Sequence, residues 1–299
     1  MKKILCGLGI AVALAWPRAE RVGANEAPAV RVVHWNVFYD GQGTDGVRDR
    51  GRQVTTLAGL KPDVITLNEV TANATVDYAA RLERATGVRW NHHHSSATKG
   101  GWGNAILTRH SLLSTSVYKM KIGAARTVAQ ATLQMNGAKV NIFATHLDSG
   151  DRVQNRAKQV QELLAFLEGF AQPRIVTGDM NASPDASEIK PMSGQYDDMW
   201  LTAVHLSRAR SYAANPPHRY TRTRRGRLDY IFATRDMVPS ECAVPDLRDL
   251  SNKNVKTLLR TADDDGVRPS DHNLVSCAIA WKDAPPQDPE SPDPPDEDD

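Results

Sequence analysis

The segment Arg174-Ile175-Val176-Thr177-Gly178-Asp179-Met180-Asn181 places two polar side chains at the end of a short β-rich run. A run of this length that is rich in β-branched residues is typical of a buried strand. Gly178 lets the backbone approach a neighbour or a ligand closely. Asp179 and Asn181 are two positions apart, so in an extended chain their side chains point the same way. The segment predicts a strand that presents two functional groups at the rim of a sheet.

Further segments along the chain have the same design, because each ends an apolar, β-rich run in an acid, an amide or an imidazole. They are Val32-Val33-His34-Trp35-Asn36, Pro62-Asp63-Val64-Ile65-Thr66-Leu67-Asn68-Glu69, Ala144-Thr145-His146-Leu147-Asp148, Leu228-Asp229-Tyr230-Ile231-Phe232 and Ser270-Asp271-His272-Asn273. A single polar strand end carries little information. The recurrence of Asn, Glu, His and Asp predicts oxygen ligands for a hard cation together with imidazoles that move protons. That is the chemistry of a phosphoryl hydrolase.

Hydrophobic periodicity predicts helices over Asp45–Gly59, Val76–Thr86 and Arg152–Phe170. Asn136-Gly137 predicts a hairpin turn between two of the strands. The predicted strands are Val30–Phe38, Asp63–Asn68, Asn104–Thr108, Ala129–Met135, Lys139–Thr145, Arg174–Thr177, Leu228–Ala233 and Asn273–Trp281. Helices alternate with strands in some places and hairpins intervene in others. This mixture favours an α/β (mixed α+β) fold with two packed mixed sheets and outer helices.

In this order, the polar segments resemble the signature set of the endonuclease/exonuclease/phosphatase family. That metal-dependent superfamily includes pancreatic-type deoxyribonuclease, exonuclease III-like abasic endonucleases, bacterial sphingomyelinases and inositol polyphosphate 5-phosphatases. The resemblance runs from about Arg31 to Trp281. It implies a four-layer α/β/β/α sandwich with the active site on one edge of the sheets.

The resemblance also implies where a cation binds. Glu69 ends an apolar strand and is the expected metal ligand. Asn36 is expected to contact the metal or a neighbouring ligand, and Asp271 is expected to bind the cation as well. Mg²⁺ or Mn²⁺ is the expected cofactor, and Ca²⁺ is an alternative.

Five residues are expected to carry the chemistry. By resemblance, Asp179 orients or deprotonates the attacking water, and Asn181 contacts phosphate or metal. Asp229 and His272 form a dyad, in which the carboxylate fixes the imidazole tautomer and makes the ring a base near neutral pH. His146 donates to a phosphate oxygen or assists the leaving group.

Substrate contacts are expected from Asn104, Arg126 and an arginine-rich run, His218–Arg227. Asn104 stands near the point where pancreatic-type deoxyribonuclease has a glutamate that supports the first histidine, so an amide here is expected to orient His146 but to raise its basicity less. The run precedes the Asp229 strand, and phosphate-backbone contact is expected from Arg222, Arg224 and Arg225.

Two other features have competing interpretations. Trp102 lies between glycines and is a candidate for stacking on the substrate. Asn91-His92-His93-His94 suggests zinc, but adjacent residues in an extended chain point in different directions, and a surface loop is the favoured interpretation.

Both ends of the chain differ in composition from residues 25–282. Residues 1–24 resemble a secretory signal, with Lys2 and Lys3, an apolar run too short to span a bilayer, and Val22-Gly23-Ala24 as a cleavage site. The expected location is therefore extracellular or periplasmic, without stable membrane insertion. Residues 283–299 contain eight acids and six prolines, which predicts a disordered tail.

The overall net charge of the chain understates the positive charge of residues 25–282, because the two ends carry opposite charges. Removing the eight negative charges of the tail and the net three positive charges of residues 1–24 from the overall +2 leaves +7 on residues 25–282. A basic domain suits a polyanionic partner, although it also suits solubility.

Cys242 and Cys277 are the cysteines that remain after residue 24. An even count in an exported protein favours a disulfide, but the sequence leaves the pairing open. Neither lies beside the predicted site, which argues against a nucleophilic or metal-binding cysteine.

The leading functional prediction is a monomeric, secreted, metal-dependent phosphodiesterase that cleaves DNA or RNA by in-line attack of an activated water. A phospholipid or sphingomyelin phosphodiesterase is the first alternative. An inositol phosphatase fits less well, since Leu228-Asp229-Tyr230 stands where that branch has a Pro-Ser-Tyr type of segment. A non-catalytic phosphate-binding module has no need of two imidazoles.

Overall fold

The computed structural model describes residues 29–211, 226–249, 251 and 266–283. Residues 1–24, Arg222, Arg224, Arg225 and nearly all of the acidic tail lie outside the described residues. The strands are β1 (Val30–Asn36), β2 (Val64–Val70), β3 (Asn91–Ser96), β4 (Gly103–Thr108), β5 (Ser111–Lys119), β6 (Thr127–Met135), β7 (Ala138–His146), β8 (Arg174–Asp179), β9 (Asp197–Asp198), β10 (Ala209–Ser211), β11 (Asp229–Ala233), β12 (Met237–Val244) and β13 (Val275–Trp281).

Within the described residues these strands form two mixed sheets. The larger has the order β10-β12-β13-β1-β2-β4-β3, and the smaller has the order β5-β6-β7-β8-β11-β9. The helices are α1 (Phe38–Gly41), α2 (Arg50–Gly59), α3 (Ala72–Thr86), α4 (Val153–Leu167), α5 (Lys190–Gln195) and α6 (Met199–His205). No helix in this part of the chain has the length and apolar character needed to span a bilayer.

Alternation along the strands builds the layers. Val32 and Val64 pack between the two sheets, whereas Val33 and Ile65 face α2 and α3 on the outside of the larger sheet. On the other side, Val176 packs against α4. Because both faces of each central strand are covered, their residues are almost continuously apolar. The predicted four-layer α/β/β/α sandwich is confirmed.

The helix limits differ from the predicted ones for local reasons. α2 begins at Arg50 instead of Asp45, because the Asp49 side chain accepts from the Gly51 and Arg52 amides and caps it there. Val47, within the predicted helix range, precedes the observed helix and is 54% exposed. α3 begins earlier than predicted, at the Thr71 cap, and ends at Gly87 with φ +69°.

The His92–His94 segment is part of the edge strand β3, so the expectation of a surface loop was wrong. His93 Nε2 hydrogen-bonds to the Ser116 carbonyl oxygen at 3.1 Å, and His94 Nε2 hydrogen-bonds to the Val70 carbonyl oxygen at 3.0 Å. The two acceptors belong to different strands, Ser116 to β5 and Val70 to β2. The neighbouring imidazoles therefore do not converge on one ligand.

Cys242 and Cys277 face each other across β12 and β13 and form a disulfide. This settles the pairing that the sequence left open. Both sulfurs are buried in the core between the sheets, and neither cysteine lines the pocket at the edge of the sandwich.

Candidate active site

The polar strand ends meet at one edge of the sandwich because of the strand register. In the smaller sheet, Asp179 lies opposite both His146 and Asp229. In the larger sheet, Asn36 lies opposite Asn68. The Asp179 amide donates to Asn68 Oδ1 at 2.9 Å, which ties the two sheets together at this edge.

A pocket of about 350 Å³ opens here. It brings together most of the residues predicted from sequence: Glu69, Asn104, Arg126, His146, Asp179, Asn181, Asp271 and His272 line it. Asn36 and Asp229 are fully buried directly behind this lining. Arg222, Arg224 and Arg225 lie outside the described residues.

The expected dyad is present as a hydrogen-bonded pair. His272 Nδ1 lies 2.8 Å from Asp229 Oδ2, and both side chains are almost completely buried. The other carboxylate oxygen, Oδ1, lies 3.3 Å from His34 Nε2. His34 in turn contacts Thr66 Oγ1 at 3.0 Å through Nδ1. Asp229 is therefore held between two imidazoles.

His34 had no role in the sequence prediction. The signal was visible, because a histidine inside the otherwise apolar Val32-Val33-His34-Trp35 run must find a polar partner when buried. The sequence could not identify Asp229 as that partner, since Asp229 belongs to the other sheet.

Charges around the dyad decide its protonation. Burial alone would lower the pKa of His272, but the carboxylates of Asp229, Asp271 and Asp179 outweigh burial and raise the pKa to about 10. Burial would raise the pKa of Asp229, but His272 and His34 hold it well below its ordinary value. Without a bound cation, these carboxylates therefore favour the protonated form of His272.

Asp179 lies between the two pocket imidazoles, with Oδ2 at 3.6 Å from the Nε2 atoms of His146 and of His272. Burial and the charge of Asp229 raise the pKa of Asp179. Burial, with Arg126 and His272 nearby, lowers the pKa of His146 well below its ordinary value, so this imidazole is neutral at pH 7.

Asn181 provides the orientation of His146 that was expected from Asn104. Asn181 Nδ2 lies 3.0 Å from His146 Nε2 and also donates to the Leu147 carbonyl at 3.1 Å. Asn181 has φ +50°, a left-handed conformation that asparagine tolerates better than most residues.

Asn104 differs from the expected substrate contact, because its polar atoms are engaged within the protein. Its Oδ1 accepts from Asn68 Nδ2 at 2.7 Å, and its Nδ2 donates to the Thr127 carbonyl at 2.8 Å. Since Asn68 also holds the Asp179 backbone, Asn104 supports the catalytic strand from behind.

Asn36 bridges the expected metal ligand and the catalytic aspartate. Its Nδ2 donates to Glu69 Oε1 and to Asp179 Oδ2, both at 3.1 Å. Its Oδ1 accepts from the Phe38 amide at 3.1 Å, so the amide oxygen is turned away from these carboxylates. In this structure Asn36 positions the acids and does not itself present an oxygen to a cation.

Arg126 lines the pocket beside His146 and is held there by Asp148, which the sequence prediction gave no role. Asp148 Oδ1 lies 3.5 Å from Arg126 Nε and also accepts from the Ala124 amide at 3.1 Å. The signal for Asp148 was its place in Thr145-His146-Leu147-Asp148, two residues after a catalytic candidate.

The donor set fits a hard divalent cation. The carboxylates of Glu69, Asp179 and Asp271 line one pocket, and oxygen donors of this kind suit Mg²⁺, Mn²⁺ or Ca²⁺. Asp179, Asp229 and His272 also place three potential ligand atoms within 4.8 Å of one another. Binding through that second set would compete with the Asp229–His272 hydrogen bond, so the pocket-facing carboxylates are the better site.

Solved structures with the same fold include enzymes with different substrates. A humanized TDP2 from D. rerio is 20% identical, with a TM-score of 0.62 over 85% of this chain and 99% of that chain. A mannosyl-6-phosphatase from Bacteroides thetaiotaomicron is 17% identical, with a TM-score of 0.62 over 84% of this chain and 100% of that chain. The catalytic domain of human Nocturnin, solved with a bound sulfate, is 19% identical, with a TM-score of 0.60 over 85% of this chain and 95% of that chain. At these identities the likeness establishes the fold alone.

No curated protein matches the sequence. Residues 33–272 match the model of the Endonuclease/Exonuclease/phosphatase family, a match that covers most of the chain and every residue that lines the pocket. The expected family is therefore confirmed: the chain belongs to the endonuclease/exonuclease/phosphatase family of divalent-metal-dependent phosphoesterases.

Proposed function

We propose that this protein is a secreted, Mg²⁺- or Mn²⁺-dependent phosphodiesterase that cleaves DNA or RNA. The observation that carries the proposal is the position of Asp179. Its carboxylate lies 3.6 Å from two imidazoles in a pocket that Arg126 also lines. Hydrolysis of a phosphate ester needs a proton acceptor, hydrogen-bond donors and a positive charge around one cavity. Here Asp179, the two imidazoles and the Arg126 guanidinium are the groups that can supply them.

Asp179 is the group that we assign to the attacking water. Its raised pKa makes its carboxylate a stronger proton acceptor than one in solvent. The water attacks phosphorus in line and loses its proton to Asp179, while the bond from phosphorus to the leaving oxygen breaks. No covalent intermediate with the enzyme forms.

Two cationic groups face the charge that develops on the phosphate. Asp229 fixes the His272 ring and favours its protonated form, so we assign His272 to donate to a phosphate oxygen instead of removing a proton. Arg126 supplies a second donor from the pocket wall. Because Asn181 Nδ2 donates to His146 Nε2, the neutral His146 ring can donate to the phosphate or the leaving oxygen only from its Nδ1.

Glu69 and Asp271 are the residues that would hold the cation, with Asn36 orienting Glu69. A bound divalent cation would supply Lewis-acid polarisation of a phosphate oxygen. We expect EDTA to abolish hydrolysis and added Mg²⁺ or Mn²⁺ to restore it. Glu69→Gln should raise the Mg²⁺ concentration that gives half-maximal activity about 10-fold or more, because a neutral amide is a poorer ligand. Activity that survives exhaustive chelation would overturn metal dependence.

Charge favours nucleic acid among the substrates of this family. Residues 25–282 carry a net +7, which includes Arg222, Arg224 and Arg225 in close succession before Asp229. Basic surfaces suit polyanions. The similar structures do not indicate which substrate this protein cleaves, since they include a TDP2 solved with a single-strand DNA product as well as a mannosyl-6-phosphatase.

One substrate panel separates the candidate functions. Purified protein is incubated with plasmid DNA, RNA, sphingomyelin and bis-p-nitrophenyl phosphate, each with Mg²⁺ and with EDTA. Metal-dependent cleavage of DNA or RNA supports the proposal. Hydrolysis of sphingomyelin with inert nucleic acids would move the assignment to the phospholipid alternative.

Secretion rests on the composition of residues 1–24 alone. In a bacterial host, the mature protein should appear outside the cytoplasm with its N-terminus near Asn25. Intact-mass spectrometry of the fractionated protein tests this. Full-length protein retained in the cytoplasm would contradict it.

A further inference from the structure

Three aromatic side chains line the pocket and have no part in the chemistry described above. One of them, Phe38, packs against Tyr39 with ring centroids 4.7 Å apart and an interplanar angle of 51°. Tyr39 and Trp102 both line the pocket, and Tyr39 is 49% exposed. Their ring centroids are 5.5 Å apart with an interplanar angle of 86°. This edge-to-face contact leaves at least one face of each ring uncovered by the other.

The backbone that presents Tyr39 is strained. Phe38, Tyr39 and Asp40 have φ values of +50°, +46° and +62°, a left-handed conformation that bulky residues rarely adopt. The turn is held from outside, because the Asp40 carboxylate accepts from the Thr71 amide at 2.7 Å and from Thr71 Oγ1 at 3.0 Å. Strain kept in place by dedicated contacts clusters at functional sites.

A backbone hydrogen bond also connects this turn to the Glu69 carboxylate. The Tyr39 amide points at Glu69 Oε2 at 3.4 Å, and Glu69 itself has φ +57°. Tyr39 is thereby held by its backbone beside the expected cation ligand, and both residues line the pocket.

Trp102 is fixed by its own short loop. Its carbonyl accepts from the Ala97 amide at 2.7 Å, and the turn between them uses Gly101 at φ +80°. At Gly103 a side chain would collide with the Ser95 carbonyl of β3, so glycine is required there. The indole is therefore presented by a closed, well-bonded turn, which lowers the entropy cost of using it in binding.

We propose that Tyr39 and Trp102 form a stacking platform for an unpaired base next to the scissile phosphate. The substrate class is then single-stranded nucleic acid. This inference rests on the proposed phosphodiesterase function. Aromatic side chains beside a positively charged groove are the usual means of binding single strands, because every base has a π-face. In a duplex those faces are covered by neighbouring bases, so a duplex cannot use the platform without unstacking.

A choline headgroup would also bind an aromatic pair, through a cation–π contact. The pocket charge alone does not choose between the two ligands, because Arg126 lines it together with the carboxylates of Glu69, Asp179 and Asp271. A nucleobase is favoured because the net charge of +7 on residues 25–282 suits a polyanion.

The test removes the aromatic side chain from the protein and the base from the substrate, separately and together. Wild type, Tyr39→Ala and Trp102→Ala are compared on one single-stranded DNA oligonucleotide, on its duplex, and on the same strand with abasic residues flanking the cleaved bond. Tyr39→Phe and Trp102→Phe retain a ring. Leu113→Ala is the matched control, since Leu113 is 47% exposed on the edge strand β5 and is not among the pocket-lining residues.

We expect Trp102→Ala to lower kcat/KM on the intact strand about 5- to 150-fold, the range for one stacked base. Trp102→Phe should restore most of it, and Leu113→Ala should have no effect. The abasic strand should be a comparably poorer substrate for wild type, with no further loss in Trp102→Ala. Anisotropy of the labelled strand in EDTA should give the same order of Kd values, which separates stacking from catalysis.

Equal losses for Trp102→Ala on intact and abasic strands would overturn the platform while leaving the phosphodiesterase intact. A higher kcat/KM of the wild type on the duplex than on the single strand would also overturn the platform. If no nucleic acid is cleaved but bis-p-nitrophenyl phosphate is, the nuclease assignment itself is wrong. Competition by phosphocholine but not by a dinucleotide would assign the platform to a choline headgroup instead.

Discussion

Asp148 anchors Arg126 at the pocket wall, with its Oδ1 3.5 Å from the guanidinium Nε and its side chain fully buried. The same carboxylate accepts from the Ala124 amide and from Asn155 Nδ2, both at 3.1 Å. At Gly123, φ is +79° and an added Cβ would collide with Asp148 Oδ2. One buried acid thus fixes the loop that carries Arg126 into the pocket wall.

Asp148→Asn should therefore act through Arg126. We expect it to lower kcat/KM about 10-fold, and to add little in an Arg126→Ala background, since contacting residues show coupling of about 0.5–3 kcal/mol. The double-mutant cycle on a short DNA substrate measures this. Asn155→Ala is the control, because it removes another contact to the same carboxylate without touching Arg126. Independent, multiplicative losses would mean that Asp148 only maintains the fold.

The dyad should behave as one unit. His272→Ala and Asp229→Ala are each expected to lower kcat by several orders of magnitude, and the double variant should lose little more. Single-turnover kinetics with circular dichroism as a folding check test this. His34→Ala should cost less than either, because His34 contacts only the far oxygen of Asp229. Fully multiplicative effects would show that the two residues work separately.

Local sequence patterns predicted the parts of the site that lie at strand ends. Each candidate residue adjoins one end of an apolar strand, so its position at a rim could be read from its own segment. Glu69, His146, Asp179 and Asp271 all line the pocket on this basis.

What the sequence could not supply were contacts between the two sheets. Asn68 bonds to the Asp179 amide, and His34 bonds to Asp229, although each partner is far away in the chain and in the other sheet. The charge state of His272 also depends on three carboxylates brought together by folding. The periodicity of the sequence does not show how these charges combine.

The arginine-rich run before Asp229 should contribute to binding of long polyanions. Changing Arg222, Arg224 and Arg225 together to Ala should weaken DNA binding and flatten the slope of log K against log salt by about 0.7–0.9 for each phosphate that the variant no longer neutralises. Filter binding in EDTA at several salt concentrations measures the slope. Hydrolysis of bis-p-nitrophenyl phosphate should fall much less, because that substrate spans only the pocket. An unchanged salt slope would argue that these arginines are merely solvated.

Asp63, at the opposite end of β2 from Glu69, should make stability depend on acid pH. Its carboxylate accepts from the Arg31 amide at 2.7 Å and from Arg109 Nε at 2.8 Å, and lies 3.3 Å from His110 Nε2. Burial would raise its pKa, but these partners outweigh burial and hold the pKa below 3.8.

Because the pKa of Asp63 is lower in the folded than in the unfolded protein, its stabilising effect is complete above the unfolded value of 3.8 and is lost as the pH falls through the folded value. Asp63→Asn should therefore reduce the free energy of unfolding by about 1.5–3 kcal/mol at pH 7, as expected for hydrogen bonds to a charged group. The difference from wild type should shrink progressively below about pH 4. Urea unfolding across this pH range measures the difference.

Asp77→Asn, which removes a more exposed acid paired with Arg50 and Arg81, is the matched control and should reduce the free energy of unfolding by less than about 1 kcal/mol. A difference for Asp63→Asn that stays constant down to about pH 2 would show that its charge contributes nothing and that the effect comes from altered packing.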